Sequence, residues 1–181
     1  YAASHVLTAF APRNSRRDPH VELDKQPRTL TDDVQDALPG LLQRLGGDLL
    51  PMWQGAKQAT SSNNPDQCRH VITSLRTLLD HVLHRLSPDD AVQSWNNKPE
   101  LYHNNQPTRR ARLLFICRNI NKEPFSNFLE KDIASYVALC EVLQRLHQST
   151  LAFSVHQQHA LLTRCGGAIS FLITVGLQEE R

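Results

Sequence analysis

The sequence predicts an all-α fold, a single helical bundle of about five or six helices behind a flexible N-terminal arm, and three observations carry that prediction. Apolar residues recur at three- and four-residue steps through most of the chain, the period of an amphipathic helix. Cap residues followed by proline, as in Asn64-Pro65 and Ser87-Pro88, punctuate these runs, a device that starts helices. Alternating apolar and polar stretches, which mark half-buried strands, are nearly missing.

Taken in order, residues 1–28 show no sustained period and several turn formers, so they read as an arm or linker preceding a bundle domain over 29–181. Thr31 with Asp32 and Asp33 predicts a capped, acid-started helix through Val34 and Leu38, interrupted at Pro39-Gly40. Leu41, Leu42, Leu45, Leu49, Leu50 and Trp53 resume the helical spacing, with Gly46-Gly47 and Pro51 expected to kink or split the segment. Asn64-Pro65 opens the best-defined helix. In it Val71, Ile72, Leu75, Leu78, Leu79, Val82, Leu83 and Leu86 fall on one stripe. Ser87-Pro88-Asp89-Asp90 starts a short helix ending near Trp95, and the polar residues 96–106 read as a loop. A helix from Pro107 to Ile120 is mixed on most sides of its wheel, which predicts burial by its neighbours rather than a solvated surface position. Pro124 or Ser126 opens a long helix through Leu146, and a last one runs from Ser154 to Val175. Gly166-Gly167 within it is either a break or a close helix contact.

With 181 residues, 40% of them apolar and 21% charged, the chain has material for one domain with a real core. A net charge of +2 permits nucleic-acid binding without arguing for it. Cys68, Cys117, Cys140 and Cys165 are scattered through helical stretches with no C-x-x-C pair. Buried reduced thiols in a cytoplasmic protein are the expectation. No apolar run reaches the roughly 20 residues of a membrane span, so no membrane partner is expected. The opening at Tyr1 suggests a domain cut from a longer polypeptide.

Two groups of residues could carry chemistry. Arg76 and His81, with four residues between them on the best helix, supply a permanent cation and a ring that titrates near neutrality, the pair a metal-free ribonuclease uses. At 100° per residue they stand about 140° apart, so a shared target requires long reach or a second copy of the helix across a two-fold axis. The structural alternative pairs Arg76 with Asp80 and sets His81 against Thr77 or Arg85. Arg109, Arg110 and Arg112 start their helix, where cations are disfavoured and an anion should offset them. That anion is either internal, from Glu100, Asp89 and Asp90, or an RNA phosphate. The pairs His81/His84 and His156/His159 have metal-chelating spacing but no third ligand beside them, so neither a metal nor any other cofactor is expected. Trp53, Trp95, Phe115, Phe125 and Phe128 fall in apolar periods and read as core.

The stretches NPDQCRH, LLDHVLHRLSPDDAV and PTRRARL carry a likeness that extends from about Trp53 to Leu172. In them the chain resembles bacterial domains described as predicted pPIWI-associating nucleases and, more distantly, the HEPN helical ribonucleases. The resemblance implies a metal-independent endoribonuclease of a defence or toxin system, acting on RNA as a homodimer, with a defence-system partner protein. It assigns His81 as acid and base and Arg76 as the group steadying the phosphate; Arg109, Arg110 and Arg112, read as a phosphate seat from their place at a helix start, would position the RNA. The competing expectation is a non-catalytic module for dimerisation or docking, with the Arg/His pair purely structural.

Overall fold

The computed structural model describes residues 30–61, 64–147 and 153–177; the expected arm over 1–28 lies outside them. The described residues form seven α-helices, against the five or six expected, with one 3-10 turn and one two-stranded hairpin. The architecture is all-α.

α1 (Leu30–Leu45) runs unbroken through Pro39 and Gly40, where an interruption was expected. Proline removes one backbone hydrogen bond, but Leu38 and Leu42, on either side of it, are fully buried. Packing of that face holds the helix together where local propensity would end it. The break comes instead at Gly46–Asp48. Arg85 closes it: its Nη1 donates to Leu45 O at 3.3 Å and its Nη2 to Asp48 Oδ2 at 2.6 Å. α2 (Leu49–Ala59) follows, and Pro51 stands in its first turn, where the missing N–H has no helical partner to lose.

α3 (Gln67–Leu86) is the axis of the bundle, touching α2, α5, α6 and α7. Its predicted stripe is buried from Val71 to Leu83. Asn64 acts one turn early: its Oδ1 accepts from Asp66 N at 2.9 Å and its carbonyl from Gln67 N at 3.0 Å. α4 (Asp89–Trp95) is the short helix expected after Ser87-Pro88.

Residues 99–106, expected as part of a loop, and Pro107, expected to open the next helix, instead form a 3-10 turn (Pro99–Leu101) and a hairpin. β1 (Tyr102–His103) pairs antiparallel with β2 (Gln106–Pro107), Tyr102 opposite Pro107 and His103 opposite Gln106. Asn104 and Asn105 make the turn with φ of 49° and 62°, the left-handed region that Asn tolerates better than most residues.

α5 (Arg109–Ile116) is capped by Thr108, whose Oγ1 accepts from Ala111 N at 3.2 Å. Ala111, Arg112, Leu113, Phe115 and Ile116 are all buried, as its mixed wheel predicted. α6 (Ser126–His147) packs on α3 and α5, and α7 (Val155–Gly176) on α1 and α3. Ser154 and Gln157 form a reciprocal capping box at the start of α7. α7 is long and apolar enough, by length and composition, to cross a membrane, which the sequence reading did not single out. Here its apolar residues Leu162, Cys165, Ile169, Leu172 and Ile173 are core. Gly166 gives the close contact expected at Gly166-Gly167, with a hypothetical Cβ 3.1 Å from the Trp53 ring, while Gly167 meets nothing.

Three of the five aromatics expected in the core are on the surface: Trp95, Phe125 and Phe128 are 38%, 61% and 58% exposed. Trp53 and Phe115 are buried as expected. Trp95 packs edge-on against Phe115, rings 5.8 Å apart, which leaves its outer face in solvent.

Candidate functional site

Arg76, Asp80 and His84 stand at four-residue steps on α3 and so form one strip along an edge of its apolar stripe. His81 lies about 140° around the helix from Arg76, on the edge facing Asp48. The Asp48 carboxyl is held below its ordinary value first by its hydrogen bond to Arg85, with a small contribution from the His81 charge. Within one chain the helix therefore directs Arg76 and His81 to opposite flanks. His81 is exposed. Arg76 is half-buried, and its Nε is enclosed with no hydrogen-bond partner among the described residues. The Arg76–Asp80 pair considered as the structural alternative is replaced by a longer-range one: Asp80 Oδ1 accepts from Arg109 Nε at 3.3 Å.

All three cations of α5 have carboxylate partners. Arg109 also donates from Nη1 to Gln144 Oε1 at 3.4 Å, and Arg110 Nη2 donates to Glu130 Oε1 at 3.2 Å. Arg112, only 4% exposed, donates from Nη2 to Asp89 Oδ1 and from Nη1 to Ser87 O, both at 2.5 Å. Of the expected partners Glu100, Asp89 and Asp90, only Asp89 is used among the described residues; Asp80 and Glu130 supply the other two charges. The three arginines differ in consequence. Arg112 is locked into the junction of α3, α4 and α5, whereas Arg109 is held through two long contacts and is one-third exposed.

The α3 strip and the first turn of α5 face each other across a cleft of about 230 Å³. Asp80, Leu83, His84, Gln106, Pro107, Arg109 and Arg112 line it. Burial, and then the Arg112 charge, lower the pKa of His84 from its ordinary value against the opposing pull of Asp89 and Asp80. An imidazole, a carboxylate and a guanidinium thus converge on one concave surface, the set a general acid–base reaction on an anionic substrate needs. Sequence reasoning noted His84 only as a metal-spaced neighbour of His81. The readable signal was its four- and eight-residue spacing from Asp80 and Arg76.

Among the described residues, no group of three or more His, Cys, Asp or Glu side chains is placed to hold a metal ion. All four cysteines are free thiols. Burial pushes Cys117 and Cys140 up to about 11 and Cys165 to about 12, so these three are inert packing groups near neutrality.

A family model described as predicted pPIWI-associating nuclease matches residues 42–172, a span that holds the whole α3–α5 cleft. No curated protein and no solved structure matches the chain.

Proposed function

We propose that this chain, which belongs to the family of predicted pPIWI-associating nucleases, cleaves RNA in the cleft between α3 and α5 without a metal ion, in the manner of the HEPN ribonucleases. The observation that carries the reading is the convergence of His84, Asp80 and Arg109 on that cleft. His84, kept neutral near pH 7, accepts the proton of a ribose 2′-hydroxyl. The freed oxygen attacks the adjacent phosphorus and the P–O5′ bond breaks, the 5′-oxygen taking up the proton that His84 gives back, which leaves a 2′,3′-cyclic phosphate and a 5′-hydroxyl. Arg109 turns from its long contacts toward the charge developing on the phosphorane. Arg110 steadies the neighbouring backbone, while Arg112 holds the cleft wall. The family description points to a pPIWI protein as partner, and a bacterial defence system is the setting we propose for the pair.

The test is incubation of the purified chain with end-labelled single-stranded RNA in EDTA. Cleavage is expected, with His84→Ala reducing it by about 10²–10⁴-fold and His81→Ala leaving it intact. Undiminished cleavage by His84→Ala sinks this assignment. Loss on His81→Ala instead returns the role to Arg76 and His81, brought together across a two-fold axis of a homodimer. One observation favours the second reading, a non-catalytic helical module: Arg109, Arg110 and Arg112 are each already neutralised by an internal carboxylate. That reading expects no cleavage at all.

A further inference from the structure

The β1–β2 hairpin borders a second recess beside the cleft. It has a volume of about 590 Å³ and is lined by Gln93, Asn97, Pro99, Tyr102, Asn104 and Asn105. That size suits a small organic group, for which pockets of roughly 300–1,000 Å³ are usual. In a chain that is 21% charged, none of these six residues is an acid or a base near neutral pH. Four carboxamides and one phenol ring line the space. The ring is anchored, Tyr102 Oη donating to Asn96 O at 2.6 Å, and Gln93 Nε2 reaches Asn105 O at 3.5 Å.

Such a lining does not attract phosphate, because it has no cation. A purely aliphatic group would use the Tyr102 and Pro99 surfaces but none of the four amides. Carboxamides present a donor and an acceptor side by side, which is how Asn and Gln read base edges, and a tyrosine ring offers a base a stacking face. The turn adds an independent sign. Glycine is the favoured second residue of a two-residue hairpin turn of this hand, yet Asn105 stands there at φ 62° and is one of the residues lining the recess.

Position supplies the substrate. Gln106 and Pro107 line the cleft, while Tyr102, the cross-strand partner of Pro107, and the turn residues line the recess. Paired residues in such a ribbon stand about 5 Å apart, so a strand with its phosphate at Arg109 brings a neighbouring base to the hairpin. We propose that this recess receives one unpaired nucleobase of the RNA strand and sets the base preference of the chain. The placement of the phosphate rests on the cleavage reading above; the base recess itself does not. Unpaired RNA is required because the base edges of an A-form helix are out of reach in its deep groove.

The experiment measures binding of fluorescently labelled oligo-A, oligo-C, oligo-G, oligo-U and an abasic ribose-phosphate strand at fixed salt. His84→Ala protein is used so that no strand is cut. One homopolymer is expected to bind about tenfold or more tightly than the least favoured. In the further variant Gln93→Ala with Asn105→Gly that spread should fall to within about twofold. Asn105→Gly preserves the turn, and an unchanged melting temperature confirms the fold. Equal binding of all five strands, or an unchanged preference in the variant, overturns the proposal. Cleavage by the unmodified chain is scored separately. A base preference without cleavage defeats the proposed reaction but keeps the recess, and cleavage without preference does the reverse.

Discussion

The His84 ring opens to the cleft, while partial burial and the Arg112 guanidinium discourage its protonation. A base must be neutral to act, so a lowered pKa moves the working range downward. The ordinary value is 6.5. Cleavage should therefore rise with pH and reach half its plateau below pH 6.5, measured as initial rates on single-stranded RNA across pH 4.5–8; a midpoint above 6.5 contradicts the assignment. The same sign governs stability. Between the lowered folded value and 6.5 the unfolded chain binds more protons, so stability declines slightly as pH falls through that window. At this scale the sequence was informative about residue types and uninformative about partners. Arg76 and His81 were conspicuous by spacing, but the partner of Asp80 turned out to be Arg109, 29 residues away. No local rule connects two helices separated by a hairpin that alternation did not reveal, because its strands are only two residues long.

Among the elements, the long helices were legible and their interruptions were not. The stripe of α3 and the cap of α7 follow from local period and local hydrogen bonding, which depend on neighbours in sequence. The continuity of α1 through Pro39 depends on α7 and α2, which no local signal contains. Glycines 166 and 167 make the same point measurable. Gly167→Ala should stabilise the protein by about 0.5–1 kcal/mol, because alanine restricts the unfolded chain and meets nothing in the folded one. Gly166→Leu should destabilise it by about 1–3 kcal/mol, since its side chain must displace the Trp53 ring and Leu38. Urea titration of both variants reads the difference, and equal effects would show that α7 does not pack as described. Arg112 tests the junction of α3, α4 and α5 in the same assay. Arg112→Ala leaves the buried Ser87 carbonyl without this donor and Asp89 without its partner, a loss of about 2–4 kcal/mol. Arg110→Ala, at a pair exposed on both sides, should stay within about 1 kcal/mol.

For the whole molecule, the proposed function asks how a chain with a net charge of only +2 would hold a polyanion. Its cationic helix start is neutralised from within: Asp80, Glu130 and Asp89 each face an arginine of α5. Only Arg109, and to a lesser degree Arg110, can exchange an internal carboxylate for a phosphate, because Arg112 is enclosed. Each phosphate neutralised on a single strand contributes a slope of about −0.7 to the logarithm of affinity against the logarithm of salt. Binding of single-stranded RNA to the chain should therefore fall with a slope of only about −0.7 to −1.4, measured by anisotropy from low to physiological salt. Arg109→Ala should flatten it by about 0.7, and Arg112→Ala should not, once folding is verified. A slope several times steeper would mean that RNA tracks a basic surface elsewhere on the chain and that the α3–α5 cleft is not where the strand lies. A shallow slope, if measured, carries a functional corollary. An interface with few phosphate contacts gains little from charge alone, so its selectivity would have to come from neutral groups that read the bases, and the amide-lined recess on the hairpin is the place proposed to provide them.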